Sequence, residues 1–379
     1  MHAGIQPKEI RIMLSRRRFL AATGGLAAFA ALPKDGRALA AESPELEAAV
    51  AAAKGQTLNM IVDPADAYRE VIGIFSRKFP EISVQASVMH PSDAAPRVIS
   101  EQKNGVYAWD AWWGTCTNMN SVATPAGILA PITDSLLLPE VSDVSNWRRP
   151  DMLYTSDKGD FVFVHTLSLI NQGAYDADQV PGGDLSLDEL LDPSLKGRIS
   201  IRIPNRPHGG SLMLAQIAHE KGFDFVEKLL TTMDPVYVDN DRQNTMSVMR
   251  GDSAVGIGTA EDTLYECHKG GGCANVKPFP TADMQARGVS VFKNRPNQAA
   301  ATVWVNWLLS REGQEAYVAE WAKGSPNGAV SMRKDVAPAP GHAESLPDTD
   351  HIDRYAPVSY DRGREEVQAI IQLYKKVAG

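Results

Sequence analysis

The sequence predicts an α/β protein of two lobes with a cleft between them. Three observations carry this. From residue 57 onward, strand-like apolar runs alternate with amphipathic helical stretches over short links, the pattern of right-handed parallel crossovers. That alternation lapses over 130–160 and then resumes, which divides the chain into two α/β units. At 379 residues the chain is long enough for two domains of ordinary size, each with its own core. In open α/β sheets ligands lie beyond the carboxyl ends of the strands, so the loops there are where function is sought.

The chain opens with a segment of a different kind. Ser15-Arg16-Arg17-Arg18-Phe19-Leu20 precedes the weakly apolar run AATGGLAAFAALP and then Ala38-Leu39-Ala40. A basic stretch, an apolar stretch too short to span a bilayer and a small-x-small site are the three parts of a signal peptide. The S-R-R-x-F-L core resembles the twin-arginine signal, which exports folded proteins. Residues 1–40 are therefore expected to be removed on export, leaving a protein free in the periplasm. No cysteine follows the cleavage site to take a lipid, and no later run approaches the ~20 apolar residues of a membrane span.

Beyond the signal, TLNMIV reads as a strand and ADAYREVIGIFSRKF as a helix ending at Pro80. EISVQASVM is a second strand, DAAPRVISEQKN a helix interrupted by Pro96, and VYAWDAWW a third strand over 106–112. After the lapse come RISIRI, SLMLAQIAHEKG, PVYV, RQNTMSVMRG and SAVGIG. Then follow the strand GVSVFK and one long helix, AAATVWVNWLLSREGQEAYVAEWA. Residues 334–358 are Pro-rich and irregular, and REEVQAIIQLYKKV closes the chain as a helix. There is no internal repeat.

Composition is that of a globular protein, 44% hydrophobic and 22% charged. A net charge of −8 argues against nucleic acid, whose phosphates need a basic footprint. Cys267 and Cys273 bracket the flexible HKGGG, a loop that a disulfide can close in an oxidising compartment if the geometry permits. Cys267-His268 has no second ligand pair at zinc spacing, so no metal site is expected, and nothing calls for a cofactor. Cys116 is the odd thiol.

Four loops fall at strand ends. Trp113-Gly114-Thr115 follows the expected third strand, where glycine lets backbone approach a ligand and Thr115 or Thr117 can cap the next helix. Trp109 and Trp112 read first as core residues, Trp113 at the lip as a ligand contact, and Asp110 as an acceptor for neighbouring backbone N–H groups. Pro204-Asn205-Arg206-Pro207-His208-Gly209-Gly210 leads into a helix near Ser211, an anion cradle with Arg206 and His208 beside it, or else an ordinary Ser-capped turn. In VDNDRQN, Asn240, Asp241 and Arg242 are cap-and-turn chemistry with or without a ligand. Glu261 and Asp262 sit in a helix's first turn, which the dipole favours in any case.

Several of these segments resemble the family-1 extracellular solute-binding proteins of ABC importers. REVIGIFSRKFPEISV, then Arg97-Val-Ile-Ser-Glu101 leading into VYAWDAWWG, is similar to that family's first α/β unit. SLDELLDPSLKGRISIRIP is the most specific match, and NTMSVMRGDSAVGIG and SVFKNRPNQAAATVWVNWLLSREGQEA extend the likeness over about 57–320. The resemblance implies the periplasmic-binding-protein fold, two lobes on a two-strand hinge with ligand in the cleft. Lobe 1 is then expected at 56–164 plus 288–336, and lobe 2 at 165–287 plus 337–379. It implies a monomeric, non-enzymatic carrier that delivers a small solute to an inner-membrane permease. Relatives in this family bind ferric iron, phosphonates, thiamine or polyamines.

The ferric members carry an adjacent tyrosine pair near the position held here by Glu261-Asp262, and this chain has no Tyr-Tyr. A carboxylate pair could serve a cation or a metal complex through oxygen ligands, whereas the loop at 206–210 favours an anion. Trp113, with Trp112, is then expected to wall a pocket that stacks an organic solute. The expected ligand-binding set is Trp112, Trp113, Thr115, Arg206, His208, Gly209, Ser211, Asn240, Glu261 and Asp262. A rival class is an exported enzyme with Cys116 as nucleophile and His165 or His208 as base, for which the chain has no local catalytic signature.

Overall fold

In the computed structural model, residues 43–325, 327–340 and 346–378 are described. The expected signal peptide lies outside the described residues.

Two sheets organise the chain. The larger contains β1 (Thr57–Val62), β2 (Ser83–Val88), β3 (Ala111–Thr115), β4 (Leu129–Ala130), β5 (Tyr154–Ser156) and β6 (Gly159–Ile170). The smaller contains β7 (Gly173–Asp176), β8 (Ile199–Arg202), β9 (Val236–Val238), β10 (Val255–Ile257) and β11 (Val276–Pro278). The chain then returns to the large sheet as β12 (Asp283–Phe292) and β13 (Val330–Ser331). The orders are β13-β6-β12-β3-β1-β2 and β11-β7-β10-β8-β9. β1 is parallel to β2 and β3, and β8 is parallel to β9 and β10, as the strand–helix alternation requires. β12 enters antiparallel between β3 and β6, which local sequence does not announce.

The helices are α1 (Pro44–Ala52), α2 (Asp66–Lys78), α3 (Pro91–Lys103), α4 (Gly209–Lys221) and α5 (Phe223–Thr232). They continue with α6 (Asp241–Met249), α7 (Glu261–Lys269), α8 (Gln298–Leu309), α9 (Arg311–Gly324) and α10 (Asp361–Ala378). Pro96 sits inside an unbroken α3, so the expected interruption does not occur. The expected single helix at 299–322 is two, because Ser310 is extended and its hydroxyl accepts the Gly313 N–H as the cap of α9. The 12-residue β6 falls partly in the stretch where alternation lapses, and the polar first half of β12, Asp-Met-Gln-Ala-Arg, was not legible as a strand.

Each sheet has its own apolar core. Leu58, Val71, Phe75, Val164, Trp304 and Trp307 belong to the large-lobe core. Ile199, Ile201, Leu214, Leu229, Ile257 and Ile370 belong to the small-lobe core, so α10 completes the small lobe. Sheet membership changes at Asn171–Gln172 and again at 279–282, because β6 and β12 stay paired out to Ile170 and Asp283. The first crossing lies several residues after 164/165, and the second several residues before 287/288. The C-terminal segment also spans the lobes, with Tyr355 and Tyr360 in the large core and Ala356 and Val358 in the small one.

Candidate functional site

The carboxyl ends of β1 and β3 lie side by side in the large lobe, as do those of β8 and β10 in the small lobe, where the end of β10 bonds to the first crossing at Gln172. Asp63 follows β1, and its Oδ2 accepts the Thr115 N–H at 2.7 Å across the neighbouring strand end. A Cβ at Gly114 would lie 2.2 Å from Asp63 Oδ1, so the glycine is what admits the carboxylate there. Burial pushes the Asp63 carboxyl up to about 6 against the opposing pull of the Thr115 hydrogen bonds and the Arg287 charge.

On the small lobe, the β8–α4 turn presents Arg206 and His208. Gly210 and Gly258 let the first turn of α4 lie against the end of β10: a Cβ on Gly258 would meet Gly210 at 2.8 Å, and one on Gly210 would meet the Arg202 carbonyl at 2.1 Å. His208 caps α4, and burial followed by the charges of Arg202 and Arg206 lowers its pKa to about 4, so it is neutral near neutral pH. Its Nδ1 is buried without a hydrogen-bond partner. Arg206 Nη1 stands 4.0 Å from Asp93 Oδ1 at the start of α3, joining the rims of the two lobes.

The crossings supply amides. The Gln172 carbonyl accepts the N–H groups of Gly258 and Thr259, and its side chain lies against Gly209 with Oε1 unpartnered. Glu261 Oε1 accepts the Asn171 N–H at 2.8 Å and the Asn327 side-chain amide at 2.6 Å. Burial raises the Glu261 carboxyl to about 7, helped by the nearby Asp283 charge.

The expected residues fare differently. Gly209 lies against Gln172 and Glu261 bonds to Asn171 at the first crossing, with His208 next to Gly209 and Arg206 on the half-exposed turn before it. Ser211 is fully buried, its hydroxyl spent inside the turn on the Arg206 and His208 carbonyls. Asn240 caps α6 through the Gln243 N–H, and Asp262 accepts the Thr263 N–H in its own helix, both on exposed surface. Thr115 makes no side-chain cap, because only the three-residue turn Cys116–Asn118 and a π turn follow it.

Trp112 and Trp113 are core residues, both 0% exposed. β3 runs to Thr115 rather than stopping at 112, so Trp113 is mid-strand, flanked by Val62 and Val289. Its ring is packed edge-on against Tyr68 and Trp304 at 4.5 and 5.1 Å, while Trp112 stacks over Phe292 on the other face. Neither indole has a free face for a solute in this structure. Asp110 is structural: its oxygens accept the N–H groups of Asn59 and Asn297 and the Asn297 amide.

Cys116 is also fully buried, and burial pushes its thiol far above the usual range, the opposite of an activated nucleophile. His165 is neutral, its pKa lowered to about 3 by burial and then by Arg287. Cys267 and Cys273 form a disulfide, pinning the end of α7. Among the described residues there is no grouping of three or more His, Cys, Asp or Glu that could hold a metal, and no helix long and apolar enough to cross a membrane.

Sequence reasoning missed Asp63, Asn171, Gln172, Asp283, Arg287 and Asn327. Asp63 was within reach, since it directly follows the strand TLNMIV and obeys the same strand-end rule. Arg287 and Asp283 were not, because they lie in the polar half of β12.

Residues 57–320 match the family described as bacterial extracellular solute-binding protein. A curated protein of Haemophilus influenzae, described as uncharacterized, is 27% identical over 225 residues, 57% of this chain. This chain spans 62% of the length of that relative. Among solved structures, iron-bound HitA from Pseudomonas aeruginosa superposes with a TM-score of 0.62 at 21% identity, covering 85% of this chain and 99% of that one. The fructose-6-phosphate-bound periplasmic binding protein AfuA from Actinobacillus pleuropneumoniae gives 0.57 at 20% identity, over 84% and 99%. The spermidine/putrescine ABC transporter substrate-binding protein PotD from Streptococcus pneumoniae gives 0.54 at 14% identity, over 86% and 100%. At these identities the likeness is one of fold: two α/β lobes of the periplasmic-binding-protein type.

Proposed function

The chain belongs to the bacterial extracellular solute-binding proteins, and from that premise we propose that it captures a small charged organic solute, an anion rather than a cation, between its lobes and delivers it to an inner-membrane ABC permease. It works as a monomer in the periplasm after removal of the signal at 1–40, with no enzymatic step. The lobes divide at the two crossings, 171–172 and 279–282.

The observation that carries the anion is the α4 turn. Arg206 is half exposed, beside a neutral His208 with an unpartnered ring nitrogen and the first N–H groups of a 13-residue helix. A guanidinium and a helix N-terminus both favour negative charge. Among the described residues Arg206 has only Asp93, at 4.0 Å and largely exposed, as its counter-ion, so an incoming carboxylate or phosphate can displace it. The absence of an activated thiol supports a carrier over a cysteine-dependent enzyme.

One observation favours a second reading, a cationic group: Asp63, Asp283 and Glu261 outnumber Arg287 around the crossings. Native mass spectrometry of protein taken from its own periplasm tests both, since the mass of a carried solute reveals its charge class. A protein that turns candidate solutes into altered product, rather than saturating with them, would refute the carrier.

A further inference from the structure

Four ionisable side chains meet where the lobes join the hinge, and capture of an anion at the α4 turn uses none of them. Asp63 follows β1 in the large lobe and is 7% exposed. Asp283 opens β12 and is 0% exposed; Arg287, two strand repeats further along the same face, is 5% exposed. Glu261 opens α7 of the small lobe and is partly buried. The carboxylate oxygens Asp63 Oδ1 and Asp283 Oδ1 are buried without a hydrogen-bond partner. Arg287 is held by the Ser168 hydroxyl and by the face of Trp321, 3.8 Å from its guanidinium carbon.

Glu261 ties the lobes together. Its Oε1 takes one hydrogen bond from the first crossing, at Asn171, and one from the large lobe, at Asn327. Asn327 also donates to the Leu169 carbonyl, and the Asn171 side chain donates to the Phe279 carbonyl at the second crossing. Asp283 lies in the same neighbourhood, paired in register with Ile170 at the end of β6. One carboxylate at this junction is compatible with the amide donors and the Arg287 charge. Two ionised carboxylates in a buried site repel one another.

We infer that Glu261 and Asp283 form a proton-sensitive latch on the hinge: with a proton on one of them the lobes hold the arrangement seen here, and ionisation of both drives the lobes apart. This rests on the two-lobe carrier reading but not on any particular solute. Burial raises both carboxyls to about 7, which puts their ionisation near neutral pH, and Arg287 opposes that rise in each. The other groups facing the junction are Asp63 and His90 at the ends of β1 and β2, Tyr68 on α2, Tyr317 on α9, Cys116 after β3 and the neutral His165 on β6. Asp63 is raised less, to about 6, and bonds within its own lobe, so it does not latch.

The test needs no solute. Small-angle scattering of the exported protein, shown solute-free by native mass spectrometry, is recorded from about pH 5.5 to about pH 8.5, a range that brackets both carboxyls. The radius of gyration should rise with pH in the wild type and stay at its low-pH value in Glu261→Gln and Asp283→Asn. A wild-type profile that does not change with pH overturns the latch. So does a rise that persists undiminished in both variants, which would place the titrating groups elsewhere. Glu261→Gln keeps both acceptor bonds through its carbonyl oxygen, so it decides alone if Asp283→Asn fails to fold by circular dichroism. Failure here leaves solute capture standing, because that is read from the carried mass.

Discussion

The indole N–H of Trp113 donates to Nε2 of His165 over 2.9 Å, inside the large-lobe core. The bond makes that nitrogen an acceptor and the imidazole neutral, and it joins β3 to β6 across the intervening β12. A tryptophan that the sequence places at a cleft lip is thus a structural tie between strands.

Trp113→Ala should destabilise the protein by about 3–5 kcal/mol, the usual cost of truncating a fully buried aromatic ring. Denaturant titration measures that loss. Solute affinity, read by calorimetry on the folded fraction, should change less than about twofold. A large loss of affinity at unchanged stability would return Trp113 to the binding site.

His165 should make the fold acid-sensitive. Its folded pKa of about 3 lies below the ordinary 6.5, so the unfolded chain takes up the proton first as pH falls. The contribution is complete above about pH 6.5 and is lost progressively toward pH 3. His165→Gln keeps an acceptor for Trp113 but cannot titrate, so its melting temperature should fall less steeply over that range. Parallel wild-type and variant curves would rule out His165 as a source of the acid sensitivity.

Arg206 and Asp93 should act oppositely on an anionic solute. Their pair is 54% and 67% exposed, so Arg206→Ala should alter stability by less than about 1 kcal/mol. Its affinity for an anion should fall roughly tenfold or more through loss of a charge-assisted hydrogen bond, with a weakened salt dependence. Asp93→Ala removes a competing charge and should tighten binding. Calorimetry on the carried solute checks both, and equal losses in the two variants would contradict the anion assignment.

The three cysteines should label in a fixed order. In native, unreduced protein an alkylating reagent should find none, because Cys116 is buried and Cys267 is bonded to Cys273. Unfolding without reduction should expose one thiol, and unfolding with reduction all three. A loop this short should contribute about 2 kcal/mol through its closure, which denaturation with and without reductant measures.

Export should depend on the arginine pair. Replacing Arg16 and Arg17 by lysine should strand the precursor in the cytoplasm. Fractionation and immunoblotting show where it accumulates, and normal periplasmic levels would overturn the twin-arginine assignment.

Much of the architecture was legible in local sequence. Strand–helix alternation announced β1, β2, β8 and β10, and glycine and proline marked their ends, because backbone geometry and amphipathic period are properties of neighbouring residues. The same logic found the α4 turn and Glu261 at the start of α7. Which face of a strand meets solvent, however, depends on what lies beside it. β12 returns antiparallel from the second crossing to pair with β3 along Ala111–Thr115. That pairing carries the strand three residues past its expected end and seals both tryptophans inside. Asp283, Arg287 and Asn327 lie far along the chain from the first crossing at 171–172, so their meeting with it is a long-range fact that no local pattern encodes. The sequence alone determined most of the elements and the two-lobe fold. Tertiary pairing decided which side chains reach it, because burial is set by neighbours distant in the chain.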